Sequence, residues 1–446
     1  MNILHYTLGL PPFRKGGLTK YSLDLMIEQS KSHEVTLLYA NSGLTLKSQK
    51  FIEKKNNFDF HVYEINNTQP IPLLEGIKNP IDFIENKTQI KSFQNEINFF
   101  LQNIKPDVFH IHTLMGLPLS FVKAVKNKGI KIIFTTHDYF GLCPKVNFIN
   151  QNNCWCDNTS NCFACNFNAP STLYLKYLRN SKFLLQYKNL LKWIKPGEKK
   201  KTSTPPTPSI MQSHYSLLRD YYMEILKLVD CFHFNSSISH EVYQSFFPIN
   251  KHEIINLRHA NIKDDRKPVC FDKTNIRFGY IGSTEYFKGF PVLLKALERL
   301  FNDGIKNWEL NVYGDSVDLL SPIQSKIKFK GAYRYENISR VFSAIDILIM
   351  PSKCKETFGF VALEAFSHGI PVVLSNHCGV KDILKEVTPE LIVEPEENDF
   401  YPVMREILTQ TEKIALYNQK IIAADFSFNL SAHVEEINQL YLRNLQ

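Results

Sequence analysis

Pro351-Ser-Lys-Cys-Lys-Glu-Thr-Phe-Gly-Phe-Val-Ala-Leu-Glu-Ala-Phe-Ser-His-Gly-Ile-Pro-Val-Val373 carries two glutamates, Glu356 and Glu364, with seven residues between them. An eight-residue step turns a helix by about 800°, which would leave the two side chains roughly 80° apart if both were helical. Pro351 and Gly359 argue instead that Glu356 sits in a loop, with Thr357 as a candidate cap. Glu364 then lies one to two turns into a helix spanning Phe358 to His368, which Gly369 stops. Both carboxylates can address one extended polyhydroxylated ligand, because ionised carboxylates accept hydrogen bonds from sugar hydroxyls. The N–H groups near Thr357, Phe358, Gly359 and Phe360 would face the same ligand with the positive end of the helix dipole. The competing reading is a surface helix carrying two solvated acids. It does not account for the ordered run of strand, Pro, Glu, Phe-Gly, Glu and Gly-Ile-Pro-Val-Val.

The neighbouring sequence repeats a βα theme. Ile276 to Ile281 reads as a strand, then comes the loop Gly282-Ser-Thr-Glu-Tyr-Phe-Lys288-Gly289 and a helix opening at Pro291. Leu310 to Tyr313, Ile327 to Lys330, Ile345 to Met350 and Pro371 to Leu374 are further apolar runs of strand length. The first forty residues read strand, loop, helix, strand: Asn2 to Leu8, a loop containing Gly16-Gly17, Leu18 to Ser30 at helical spacing, and His33 to Ala40. Asp107 to His112 and Ile130 to Thr136 flank a helical Leu117 to Asn127. Alternation of this kind implies parallel sheets covered on both faces. The pattern breaks over about 140–213 and resumes near Tyr215 to Asn235. The polar run Lys263-Asp-Asp-Arg-Lys-Pro marks a boundary. The expected organisation is an N-terminal domain over 1–262 with an insertion at about 140–213. A second domain covers 263–426, and a C-terminal helix within 427–446 crosses back to the first.

At this point the chain resembles the retaining glycosyltransferases of family 4, which have the GT-B fold and an E-x7-E signature. The resemblance rests on Glu356 and Glu364, on Gly16-Gly17 after the first strand, on His137-Asp138 after a strand, and on Gly282 through Lys288-Gly289. It covers most of the chain and is strongest in the second domain. It implies an α/β protein of GT-B class, two Rossmann-like doubly wound domains facing across a cleft. It also implies that Glu356 holds the donor sugar, that Glu364 holds the ribose of a nucleotide, and that His137 reaches the transferring sugar and the acceptor side. Lys288 would neutralise the diphosphate leaving group, as a compact ammonium does well. Gly16 and Gly17 would let backbone approach the phosphates. Many members carry an arginine shortly after the first glycine of the Gly282 loop, where this chain has Ser283 and Thr284. The family mechanism is front-side displacement with retention. The expected catalytic residues are therefore Glu356, His137 and Lys288. No Mg²⁺ is required if Lys288 and helix ends supply the positive charge, and no Asp-x-Asp motif is present. His110 and His112 alternate in one strand and read as packing.

Composition bounds the alternatives. The 446 residues suit two domains, and 44% apolar with 22% charged residues is ordinary globular usage. No stretch reaches 18 consecutive apolar residues, and the N-terminus has no basic region or cleavage site, so a cytoplasmic chain is expected. The net charge of +8 is concentrated. Residues 172–204 hold nine cations and one acid, an excess equal to that of the whole chain. Within it, Phe183, Tyr187, Leu190, Leu191 and Ile194 share one helical face, while Lys188, Lys192 and Lys195 share another. Such a helix can lie on an anionic membrane surface or pack on its own domain with a solvated basic face. Nucleic acid is not expected as a partner. Five of nine cysteines fall within 23 residues. Cys143, Cys154, Cys162 and Cys165, with Cys156 as a further choice, have zinc-like spacing, redox use and free thiols being the alternatives.

The sequence therefore points to a glycosyltransferase peripheral to the inner face of the cell membrane. It would move sugar from a nucleotide-diphosphate sugar to a glycan or lipid-linked acceptor, as in bacterial surface polysaccharide assembly. A glycoside hydrolase would need both glutamates to flank one bond. A nucleotide-binding accessory subunit would not need Glu356, Glu364 and Lys288 intact.

Overall fold

A computed structural model describes residues 1–41, 48–156, 161–179, 208–269 and 274–446. The chain divides into two compact units. One comprises Met1–Phe234, Tyr243–Ile255 and Ser431–Gln446, the other Asn235–Val242 and Asn256–Leu430.

The first unit is built on an eight-stranded sheet. Its strands are β1 (Asn2–Thr7), β2 (Glu34–Asn41), β3 (Phe51–Glu53), β4 (His61–Asn66), β5 (Val108–Ile111), β6 (Lys131–Thr135), β7 (Cys231–Phe234) and β8 (His252–Ile254). The order is β3-β4-β2-β1-β5-β6-β7-β8. Every pairing is parallel except β3 with β4, which is antiparallel at the edge. β5 and β7 are buried at all positions, as expected for strands covered on both faces. The helix expected after β1 is present as Gly17–Gln29. The sequence reading passed over the helix Lys87–Ile104, which starts in a reciprocal capping box between Asn86 and Gln89. The closing helix, Leu430–Leu445, belongs to this unit from Ser431 on. Asn438 accepts from Gln29 at 2.9 Å, and Arg443 pairs with Glu253 at 2.6 Å.

The second unit holds a six-stranded, all-parallel sheet. Its strands are β9 (Ile276–Gly282), β10 (Trp308–Gly314), β11 (Ile327–Gly331), β12 (Ile347–Met350), β13 (Val372–Ser375) and β14 (Ile392–Val393), in the order β11-β10-β9-β12-β13-β14. The core is apolar on both sides of this sheet. Trp308, Leu310 and Val312 of β10 and Leu293, Leu297 and Leu300 of the helix Phe290–Asn302 are fully buried. Each such side chain is worth about 1.5–3 kcal/mol of transfer free energy. The segment Asn235–Val242 is fastened within the unit by Ser237, whose N–H and Oγ both donate to Asp382 at 2.6 Å.

The basic amphipathic helix expected over 183–195 and most of 172–204 lie outside the described residues. No helix among the described residues is long and apolar enough to cross a membrane.

Candidate active site

The expected functional residues fall into two sets. Gly16, Gly17 and His137 belong to the first unit, and Gly282, Lys288, Glu356, Thr357, Phe358, Gly359 and Glu364 to the second.

In the second unit the C-terminal ends of β9 and β12 bring two loops together. Beyond β9 the chain forms a 3₁₀ turn, Tyr286–Lys288, and reverses at Gly289 with φ +75°. A Cβ at Gly289 would lie 1.7 Å from the Pro351 carbonyl oxygen, so only glycine lets this corner rest against the end of β12. The Phe287 carbonyl accepts from the N–H groups of Lys353 at 3.1 Å and Cys354 at 3.0 Å, which ties the loops together. Lys288 Nζ then lies 2.9 Å from Glu356 Oε1. Ser352 Oγ also donates to that oxygen. The Glu356 side chain is 12% exposed and Lys288 31%, so the pair is open to a ligand at one side. Burial disfavours the Lys288 charge. The Glu356 carboxylate outweighs it and moves the ammonium above its ordinary range, so Lys288 is a fixed cation.

Glu356 lies in a loop, as expected, and its backbone is held on both sides. Its N–H donates to His377 O at 2.8 Å, and its carbonyl accepts from Gly379 N at 3.0 Å. Ser236 Oγ donates to the Thr357 carbonyl at 2.5 Å. Thr357 does not cap the helix. The helix spans Phe360–Ser367, and its N-cap is Gly359 at φ +106°, without a side-chain cap. A residue at positive φ costs little as glycine, and this sharp entry displaces the start by two residues from the expected Phe358.

Glu364, on the second turn, is 2% exposed. Its Oε1 lies 3.1 Å from His259 Nε2. Asn261 N–H donates to His259 Nδ1 at 3.3 Å, so the imidazole proton sits on Nε2 and is given to Glu364. Glu364 Oε2 is buried and has no hydrogen-bond partner among the described residues. A buried carboxylate oxygen without a donor costs about 1–3 kcal/mol, which marks it for a ligand. His259 was not foreseen from the sequence. It lies 105 residues before Glu364 in a stretch with no regular periodicity.

In the first unit Gly16 has φ +116° and caps the helix Gly17–Gln29. A Cβ there would meet nothing within 4 Å, so the turn needs glycine for its φ and leaves open space above the helix start. His137 follows β6, and its Nε2 lies 3.2 Å from His112 Nδ1. Burial pushes His137 down to about 3, so it is neutral at physiological pH.

The cysteines of the expected zinc group lie in the first unit. Cys143, Cys156 and Cys165 are half-buried, Cys162 is buried and Cys154 is exposed, all as free thiols. Cys143, Cys156, Cys162 and Cys165 influence one another, and Cys154 is not among them. Burial raises the Cys143 thiol to about 11 and Cys162 to about 12. Among the described residues the group of three ligand atoms within 4.8 Å of one another is His5, His110 and His112. No three of these sulfurs lie that close.

Two family models match the chain. One, described as glycosyl transferases group 1, covers residues 275–410, and the other, glycosyltransferase family 4, covers 15–196. An uncharacterised glycosyltransferase of Methanocaldococcus jannaschii is 28% identical over 33% of this chain and 37% of its own length. An uncharacterised protein of the cps region of Klebsiella pneumoniae is 22% identical over 93% of this chain and 96% of its own. Among solved structures, WaaG, a glycosyltransferase involved in lipopolysaccharide biosynthesis, superposes with TM-score 0.56 at 14% identity, covering 98% of this chain and 99% of its own. Anabaena HepE in complex with UDP superposes with TM-score 0.58 at 13% identity, covering 99% and 100%. At such identities the likeness is one of fold, and the fold is GT-B. With these models matched in both the N-terminal and C-terminal parts of the chain, the chain belongs to the family 4 glycosyltransferases.

Proposed function

We propose that the chain transfers a sugar, with retention of anomeric configuration, from a nucleotide-diphosphate sugar to a glycan or lipid-linked acceptor in surface polysaccharide biosynthesis. The observation that carries this is the buried Glu364 carboxylate, with one oxygen held by His259 and the other unbonded. A ribose hydroxyl supplies the missing donor. Lys288, held in place by Glu356, supplies fixed positive charge for a diphosphate, and the N-terminus of the helix that opens after Gly359 supplies more. In the reaction the acceptor hydroxyl approaches the anomeric carbon from the face of the leaving phosphate. The carbon–oxygen bond to phosphate breaks, the new glycosidic bond forms, and the acceptor proton passes to the leaving phosphate oxygen. Glu356 holds the donor sugar, and Lys288 offsets the charge growing on the diphosphate, without a required Mg²⁺. His137 and the Gly16-Gly17 turn are assigned, from the family resemblance, to the transferring sugar and the phosphates. The cps-region relative supports the polysaccharide context. The basic stretch 172–204 supports an acceptor presented at an anionic membrane surface on the cytoplasmic side.

The test is a panel of nucleotide sugars followed by proton NMR of the released or transferred sugar. The product is expected to keep the anomeric configuration of the donor. An inverted product removes the front-side mechanism, and no cleavage of any donor removes the enzymatic reading in favour of an accessory one.

A further inference from the structure

The first unit gathers four thiols around a stretch of backbone that is held at some cost. Six non-glycine residues among the described residues have positive φ, and three of them, Val146 at +58°, Phe148 at +54° and Asn153 at +60°, fall between Cys143 and Cys154. A β-branched valine and a bulky phenylalanine rarely adopt that conformation. Here it brings the backbone N–H groups of Lys145 and Phe148 to one atom, the Cys143 sulfur, which accepts from both. Paired N–H donors suit a thiolate, because a thiol sulfur is a weak acceptor and an ionised one a strong acceptor. Backbone strain kept for the sake of one sulfur is a mark of function. The chain then returns to that sulfur. Asn150 Oδ1 accepts from the N–H groups of Asn152 at 2.8 Å and Cys154 at 3.1 Å, which closes a turn. Ile149 bridges Trp155, and Cys156 N–H donates to the Phe148 carbonyl at 2.7 Å. Cys156 therefore lies beside the residue whose N–H serves Cys143. Cys154 stays in the turn, exposed, with its thiol on the Asn152 carbonyl at 3.5 Å. Cys162 and Cys165 stand three apart on the helix Cys162–Asn166, which puts both sulfurs on one face. Cys143, Cys156, Cys162 and Cys165 are close enough to act on one another's charge. Arg219, on the helix Pro208–Lys227, reaches Cys162 Sγ at 3.8 Å.

We propose that Cys143, Cys156, Cys162 and Cys165 bind one zinc ion, with Cys156 and not Cys154 as the ligand from the hairpin. Four thiolates fill the tetrahedral shell, so the ion is structural and offers no open position to a substrate. Binding is a ligand exchange: four S–H protons pass to water, four Zn–S bonds replace the ion's water ligands, and no electrons move. The closed site carries a net negative charge, which the Arg219 guanidinium and the N–H groups at Cys143 offset. No three of the four sulfurs lie within 4.8 Å of one another, and a zinc–thiolate tetrahedron sets its sulfurs about 3.8 Å apart, so the side chains turn inward on binding. The ion then fastens the segment that follows His137 and Asp138 to the helix Cys162–Asn166. The inference does not depend on the proposed function.

The experiment uses the full chain, expressed without a histidine tag, reduced, loaded with Zn²⁺ and dialysed. Elemental analysis is expected to find one zinc per chain in the wild type and in Cys154→Ser, and loss of the ion in Cys156→Ser. Co²⁺ in place of zinc is expected to give the strong visible bands of a tetrahedral ion, with thiolate-to-metal charge transfer in the near ultraviolet. Co²⁺ that binds without charge transfer sits on nitrogen ligands such as His5, His110 and His112, and overturns the proposal. So does a chain that takes up no zinc, one that keeps it in Cys156→Ser, or one that loses it in Cys154→Ser. A serine variant can lose the ion by failing to fold, so a wild-type measurement stands beside it. Titration with p-hydroxymercuribenzoate should modify Cys154 first and release no zinc, then release zinc in step with modification of the other four. Modification of all five with the zinc retained overturns the assignment.

Discussion

Replacing Glu364 with glutamine should make the free protein more stable and the nucleotide complex weaker. Glu364 is 2% exposed, and its Oε2 has no partner among the described residues. An unsatisfied buried carboxylate oxygen costs about 1–3 kcal/mol, and a neutral amide of the same shape removes most of the charge burial while its oxygen still accepts from His259 Nε2. For a unit of 150–250 residues, 1 kcal/mol moves Tm by about 2–4 °C, so a rise of several degrees is expected without ligand. In the complex, Oε2 is assigned a ribose hydroxyl. A hydrogen bond to a charged group is worth about 1.5–3 kcal/mol, so affinity should fall about 10- to 150-fold. The assay is thermal melting of wild type and Glu364→Gln, alone and with UDP, GDP or ADP. A fall in Tm without ligand, together with an undiminished ligand-induced shift, would make Glu364 a structural partner of His259 and refute the ribose assignment.

Lys288→Met should leave the fold intact and reduce donor turnover by about 10²–10³, the usual loss for one group aimed at developing charge. Steady-state rates on the donor found by melting check this. Gly289→Ala should destabilise the second unit by more than about 2 kcal/mol, because its Cβ would sit 1.7 Å from Pro351 O at φ +75°. Denaturant unfolding reads the loss, and the Lys288–Glu356 pair should be disturbed with it. Acid should loosen the first unit. His5, His137 and His233 titrate near 3 in the folded chain and near 6.5 unfolded, so the fold favours their neutral forms. That stability is complete above pH 6.5 and declines as pH falls toward 3, by about 1.4 kcal/mol per pH unit for each group. Hydrogen exchange in β1, β5 and β6 should quicken between pH 7 and 5, and unchanged protection would contradict it.

The parallel-sheet class was legible because apolar runs of strand length alternate with helical spacing. The strands between Ile276 and Ser375 and the helix Leu430–Leu445 fall where periodicity puts them, while the two-residue strand Ile392–Val393 was not read. The antiparallel edge was not legible, since Phe51–Glu53 is three residues long with no alternation to read. The helix Lys87–Ile104 had a usable signal in Asn86-Lys-Thr-Gln89, a capping pair three residues apart, but its apolar stripe is sparse. Glu356 and Glu364 could be found because the chemistry of a loop acid and a helix acid is written within one short segment. His259 could not, because its role comes from a long-range contact. His110 and His112 read as packing, and they are buried, but strand register places His5 beside His110 and turns separate histidines into one network. Register across a sheet leaves no mark on a single sequence.

The account stands most directly on whether Glu356 and Lys288 form a donor site that works without a divalent metal. The measurement is the cleavage of nucleotide sugars by wild type and Glu356→Gln in the presence of EDTA, with melting curves recorded on the same samples. The account predicts that one nucleotide sugar raises the wild-type Tm and is slowly cleaved, while Glu356→Gln melts as a folded protein and cleaves none. Turnover in Glu356→Gln equal to wild type, or wild-type cleavage that vanishes with EDTA and returns with Mg²⁺, would contradict it.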